Sequence, residues 1–132
     1  MSDERTSVPV SETDPRVSVL ADISRDMVRL YKEQFGRGPT RARSHFAGPD
    51  TLICTLEDTF TPAEQRLADM GEHQRIRDTR LYFQHATEAE FREVVERRLG
   101  RGVRAFVSGT DTGHDVSAEI FYLESATVPG AL

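Results

Sequence analysis

The stretch Gln34-Phe35-Gly36-Arg37-Gly38-Pro39-Thr40-Arg41-Ala42-Arg43 decides how the rest of the chain is read. Ahead of it, Val17, Leu20, Ile23, Met27, Leu30, Tyr31 and Gln34 recur at spacings of three and four, the stripe of an amphipathic helix over about 15–35. Gly36 suits the left-handed residue that ends such a helix, because glycine has no Cβ to clash there. Pro39 blocks a return to helix, and an alternating pattern starts at Arg41. The stretch has an echo. Leu99-Gly100-Arg101-Gly102-Val103-Arg104 repeats it, with Gly100 64 positions after Gly36 (100 − 36). Met27, Leu30, Tyr31 and Phe35 align with Phe91, Val94, Val95 and Leu99 at the same offset, which points to an internal duplication.

Working outward, Asp14-Pro15 is a helix start, with Asp as N-cap and Pro at the first helical position. Residues 1–14 carry few apolar anchors and are expected to form a mobile tail, as are residues 125–132. Arg41–Ala47 and Thr51–Asp58 alternate on either side of the turn Gly48-Pro49-Asp50, a β-hairpin pattern. Thr61-Pro62-Ala63-Glu64 reads as N-cap, N1 proline and capping-box glutamate of a short helix, with Leu67 and Met70 facing inward. Glu72–Leu99 is helical, with Ile76, Leu81, Phe83, Phe91, Val94, Val95 and Leu99 as inner candidates. A second capping-box pattern, Thr87-Glu88-Ala89-Glu90, leaves open one helix or a break near His85–Thr87. Val103–Ser108 and Val116–Glu124 complete a second hairpin around the turn 109–115. In the last strand Val116, Ala118, Ile120 and Tyr122 alternate with Ser117, Glu119, Phe121 and Leu123. The end of that strand is apolar on both sides, as in a central strand with both faces covered.

The order is therefore α-β-β-α-α-β-β within one domain, 15–124. Neither half can bury its own apolar faces, so both should share one four-stranded antiparallel sheet. The fold class expected is two-layer α+β, with helices on one face of that sheet.

The bulk numbers bound function only loosely. The chain has 132 residues, 37% hydrophobic and 30% charged, and a net charge of −5. That acidic balance argues against a general nucleic-acid binder. No apolar run approaches the roughly 20 residues of a spanning helix. The polar Met1-Ser2-Asp3-Glu4-Arg5 lacks the order of a secretory signal, and the single Cys54 cannot form an internal disulfide, so a cytoplasmic location is expected.

Candidate sites are few. Gly36-Arg37-Gly38 could cradle an anion, but it sits at a helix C-terminus, where the dipole repels negative charge, and matches no phosphate-loop spacing. Capping accounts for Gly36, Gly38, Pro39, Gly100 and Gly102, just as helix initiation accounts for Thr61, Pro62 and Glu64. Arg37, Arg41, Arg43, Arg101 and Arg104 are the candidate anion- or partner-binding residues, on the condition that a pseudo-twofold brings the two turns together. The histidines show no ligand spacing with Cys54 or with each other, so no metal and no cofactor are expected. Cys54 reads as a buried structural thiol. Ser108, His114 and Asp115 could be drawn as a triad but fall around one turn, where turn chemistry explains them. No catalytic residue is indicated.

Tyr31-Lys32-Glu33-Gln34-Phe35-Gly36-Arg37-Gly38-Pro39, then Leu52–Glu57, the Thr61–Glu64 helix start followed by Leu67, and the Val103–Glu124 hairpin resemble the MpsC family over about residues 17–124. Glu72–Thr87 is richer in aromatic and His residues than that pattern, and Gly102-Val103-Arg104 is the less typical of the two turns. The resemblance implies a small accessory or regulatory protein of a Na+-translocating membrane-potential-generating system, acting by protein binding and tied to cation or inorganic-carbon transport. It implies membrane transport-system subunits as partners and no catalytic residues. A homo-oligomer is also expected, a dimer through sheet edges or the long helix. The rival readings are a small-anion sensor for bicarbonate or phosphate and, third, a nucleic-acid binder.

Overall fold

Pro15 opens α1, which runs Pro15–Phe35 and ends as its sequence demands: Gly36 turns at φ +81° and its N–H reaches back to the Lys32 carbonyl at 2.9 Å. These coordinates are a computed structural model, and it describes residues 15–125. The expected tails, 1–14 and all of 125–132 but Ser125, fall outside the described residues, as does the Asp14 cap.

After α1 come β1 (Arg41–Phe46) and β2 (Thr51–Glu57), then α2 (Pro62–Asp69) and α3 (His73–Leu99). β3 (Val103–Asp111) and β4 (Val116–Leu123) close the described chain. The sheet order is β1-β2-β4-β3, antiparallel throughout. The fold is the two-layer α+β arrangement read from the sequence, with α1 lying against β1 and α3 against β3.

Among the described residues, helices cover one face only. Leu52, Cys54 and Leu56 of β2 and Ser117, Glu119, Phe121 and Leu123 of β4 are buried beneath them. With Ile23, Met27, Leu30, Tyr31, Phe91, Val94 and Val95, most of these side chains make one core. β4 is central, as its double apolar pattern suggests, but among the described residues nothing covers its second face. Ile53, Ala118, Ile120 and Tyr122 stay half-buried there, and Val107 is 50% exposed.

One local alternative is decided and two expectations change. α3 is one continuous helix, and Thr87 does not cap: its hydroxyl donates to the Phe83 carbonyl at 2.6 Å, four residues back, so the helix passes through. Leu81 is half exposed, and the inner position beside it is held by Arg80, four residues after buried Ile76. Met70 is 65% exposed because it is the C-cap of α2 and no longer on its inner face. There the Gly71 N–H bonds to the Ala68 carbonyl and the Glu72 N–H to the Leu67 carbonyl, a Schellman stop.

β1–β2 and β3–β4 flank a junction at which β2 and β4 run antiparallel, so a pseudo-twofold between them sends equivalent ends of the two hairpins in opposite directions. Gly100 caps α3 at φ +67°, as Gly36 caps α1. The second glycines differ. A Cβ on Gly38 would stand 3.2 Å from Val28 Cγ1 and 3.3 Å from the Val28 carbonyl, whereas one on Gly102 would meet only the Glu124 side chain at 3.1 Å.

Candidate functional site

The same pseudo-twofold separates the arginine-bearing turns. Arg37 bonds to the Phe60 carbonyl at 2.6 Å and pairs with Asp58 at 2.9 Å, just beyond the end of β2. Arg101 holds the Pro49 carbonyl at 2.9 Å, the Glu124 carbonyl and the Asp50 carboxylate, just ahead of the start of β2. The seven residues of β2 lie between them, some 20 Å of strand at ~3.3 Å per residue. Both guanidiniums tie a turn to the sheet. Arg41 stands 4.0 Å from Glu57, and Arg104 lies over the Tyr122 ring at 5.6 Å. Arg43 is on the open face of β1, opposite Thr55. The five arginines are therefore not assembled into one patch.

Gly36, Gly38, Pro39, Gly100 and Gly102 sit in the two turns. Thr61, Pro62 and Glu64 start α2 with a complete capping box: the Glu64 N–H donates to Thr61 Oγ1 at 3.2 Å and the Thr61 N–H to Glu64 Oε1 at 3.0 Å. Ser108 lies on the inner side of β3 across from Glu119, away from His114 and Asp115 in the turn. Asp115 has φ +54°, and its carboxylate takes the Thr59 N–H at 2.8 Å and the Phe60 N–H at 2.9 Å, pinning the entry to α2. No triad forms. Cys54 is buried, with the Ser44 hydroxyl at 3.3 Å, and burial pushes its thiol up to about 12.

The site with chemical content lies elsewhere. A cavity of about 350 Å³ opens between the end of α1, the first half of α3 and the inner side of β3 and β4. Its deep wall is Tyr31, Arg80, Phe91 and Glu119, and its mouth includes Gln74, Arg77 and Asp78. Each deep residue is placed by the local pattern: Tyr31 and Phe91 by equivalent stripes of the two helices, Arg80 by its inward turn on α3, Glu119 by alternation with Phe121 on β4.

Arg80 is 6% exposed. Its Nε and Nη2 grip Glu64 at 2.7 and 2.6 Å, and Nη2 also reaches the Thr59 carbonyl at 3.2 Å. Its guanidinium lies 4.1 Å from the centroid of Phe35, with Tyr31 and Phe60 at 5.9 and 5.7 Å. Burial raises the Glu64 carboxyl, but Arg80 and the Thr61 N–H more than offset it and hold the group below its usual range.

Glu119 is 3% exposed, and the Tyr31 hydroxyl donates to its Oε2. Burial pushes its carboxyl up to about 7, against the neighbouring Ser108 and Tyr31 hydroxyls and the Arg80 charge. Burial and the adjoining Glu119 carry the Tyr31 phenol well above its ordinary value. Among the described residues, three buried side-chain polar atoms have no hydrogen-bond partner in the protein: Gln34 Oε1, Arg80 Nη1 and Glu119 Oε1. All three belong to residues lining this one cavity.

Comparison with protein families matches residues 16–125 to the model described as Na+-translocating membrane potential-generating system (MpsC). The chain belongs to the MpsC family. Searches of the curated proteins and of the solved structures return no match. In this MpsC chain, among the described residues, no helix is long and apolar enough to cross a membrane and no group of His, Cys, Asp or Glu side chains could hold a metal ion.

Sequence reasoning missed the cavity residues. Tyr31 and Gln34 read as helix stripe and Ser108 as the end of a strand, Glu64 next to Arg80 reads as a cap, and Arg80 itself carries no sequence reading. A signal existed for two of them. Arg80 follows Ile76 by four positions on an inward face, and Glu119 alternates in phase with Phe121 and Leu123. A charged residue in an apolar phase is the mark of a buried polar group.

Proposed function

We propose that this MpsC-family chain is an accessory or regulatory protein of a Na+-translocating membrane-potential-generating system, acting at the cytoplasmic side by binding the system's membrane subunits. Family membership supports the system, and one structural observation supports protein binding: the outer face of the sheet. There Ile53, Ala118, Ile120 and Tyr122, with the half-exposed Val107, form an apolar strip over which none of the described helices lies. Arg41, Arg43 and His45 border that strip on β1. An apolar strip with a polar, basic rim has the make-up of a protein-docking surface. The edge strands are less suited, because charged side chains along an edge discourage strand addition. In this reading a homodimer, if formed, also uses the outer face rather than the sheet edges.

The test is co-purification with the membrane subunits of such a transport system, comparing the unaltered protein with Val107→Glu. Val107 is half exposed, so the change leaves the core intact. Loss of co-purification with unchanged circular dichroism and melting is the expected result. Equal recovery of the subunits with Val107→Glu and with a second charge at Ile120 removes the outer face from the proposal.

A further inference from the structure

The outer face of the sheet carries more than an apolar strip. Strand register sets its side chains in rows that cross the sheet from β1 to β3. Arg41, Glu57, Val116 and Asp111 form one row, and Arg43, Thr55, Ala118 and Gly109 the next. His45, Ile53, Ile120 and Val107 form a third. Every row is basic at its β1 end. At the β3 end the first row is acidic, the second has no side chain and the third is apolar.

Such a face is complementary to itself. Two sheets pack face to face about 10 Å apart with their strands roughly aligned. A twofold axis parallel to the strands lays β1 and β2 of one copy over β3 and β4 of the other and keeps each row on its own equivalent. Arg41 then stands opposite Asp111 of the second copy, and Asp111 opposite its Arg41, so unlike charges meet at two corners. Arg43 comes over Gly109, which leaves room for a long side chain, and Ile53 meets Ile120 at the centre. Aligned sheets are offset by roughly 30°, which moves the corners by a few ångströms, within the reach of an arginine stem. The other twofold, across the strands, stacks β1 on β1 and sets Arg43 against His45, basic against basic.

The area sets the strength. Four strands ~4.8 Å apart, eight residues long at ~3.3 Å each, make a face of about 500 Å². A face-to-face pair buries about 1,000 Å², the low end of specific interfaces, so the association is weak enough for another protein to displace.

We infer that the free chain closes its outer face on a second copy of itself, strands aligned and Arg41 opposite Asp111 across the twofold. This rests on the docking reading only in that both use one face: an arriving transport subunit takes the second copy's place.

The experiment is sedimentation equilibrium of the full chain, alone, from about 1 μM to about 1 mM. A reversible monomer–dimer equilibrium is expected. Arg41→Glu and Asp111→Arg each set like charges against one another at both corners and should weaken the dimer at least about tenfold. The double variant reverses both pairs and should return to within about threefold of the unaltered chain. Both positions are exposed, so circular dichroism should stay unchanged, and either single variant carries the test if the other fails to fold. A monomer throughout that range, a dimer indifferent to both single changes, or a double variant no tighter than the single ones overturns the inference. A monomeric chain that still co-purifies with the transport subunits strikes this inference alone, and a dimer that recovers none of them strikes the docking reading alone.

Discussion

Glu64 and Glu119 are buried to a similar degree, 8% and 3% exposed, and both lie close to the same arginine, yet their carboxyls shift in opposite directions. Glu64 has partners for both oxygens: the Thr61 backbone and hydroxyl, and two nitrogens of Arg80. Glu119 has the Tyr31 hydroxyl on one oxygen and the Ser108 hydroxyl close by, and among the described residues its Oε1 has no hydrogen bond. Burial alone does not set a carboxylate's state; the number of donors that follow it inside does. One glutamate is matched by its donors, and the other is left short of them.

The largest way to break this contrast is to take Arg80 from Glu64. Arg80→Met leaves a charged carboxylate buried with only the capping-box donors, and breaking a buried pair in this way costs about 3–5 kcal/mol. Urea unfolding followed by circular dichroism measures it. A loss below about 1 kcal/mol would show that Glu64 is held by its cap and that Arg80 serves the cavity instead.

The second prediction concerns Glu119, whose carboxyl rises from 4.5 to about 7 on folding. The folded state holds its proton where the unfolded chain has lost it, so stability is full below about pH 4.5 and falls as pH rises toward 7. Such a shift corresponds to about 3 kcal/mol across that window. Glu119→Gln removes the titration, so the stability difference between the unaltered chain and the variant should change by that order between pH 4.5 and 7. Arg80, Ser108 and Tyr31 face this carboxyl, and the Tyr31 phenol, carried well above its ordinary value, stays neutral across this range. Unfolding curves at pH 4.5, 5.5 and 7 check it. A difference that stays constant with pH would mean Glu119 stays ionised and matches Glu64.

The contrast also shows why half of this site was legible in the sequence. Thr61 and Glu64 are three residues apart, and their bond is written in local spacing; so were the two Gly-Arg-Gly stops, both hairpins and the order of elements. Glu64 and Arg80 are 16 apart, and Tyr31 and Glu119 are 88 apart, and no periodicity links them. A local signal also left two outcomes open until packing decided between them. Thr87-Glu88-Ala89-Glu90 has the form of a cap, but buried Phe91, Val94 and Val95 on one side and Ile76 and Arg80 on the other make a continuous helix the better solution. The two arginine turns look alike in one dimension and lie apart in three, because a twofold between antiparallel strands sends equivalent ends opposite ways.

The smallest effect separates the two supports of Glu64 from each other. Thr61→Ala removes the hydroxyl that accepts the Glu64 N–H but leaves the Thr61 N–H and Arg80 on the carboxylate. Loss of an N-cap side chain typically costs about 1 kcal/mol. Thr61→Ser, which keeps the hydroxyl, should recover most of it. Thermal unfolding of the three proteins makes the comparison, and the double variant with Arg80→Met makes it sharper. If cap and ion pair act separately, the two losses add to within about 0.5 kcal/mol. If the double variant loses much less than the sum, Thr61 matters because it aims Glu64 at Arg80, and cap, glutamate and arginine form one unit bordering the cavity.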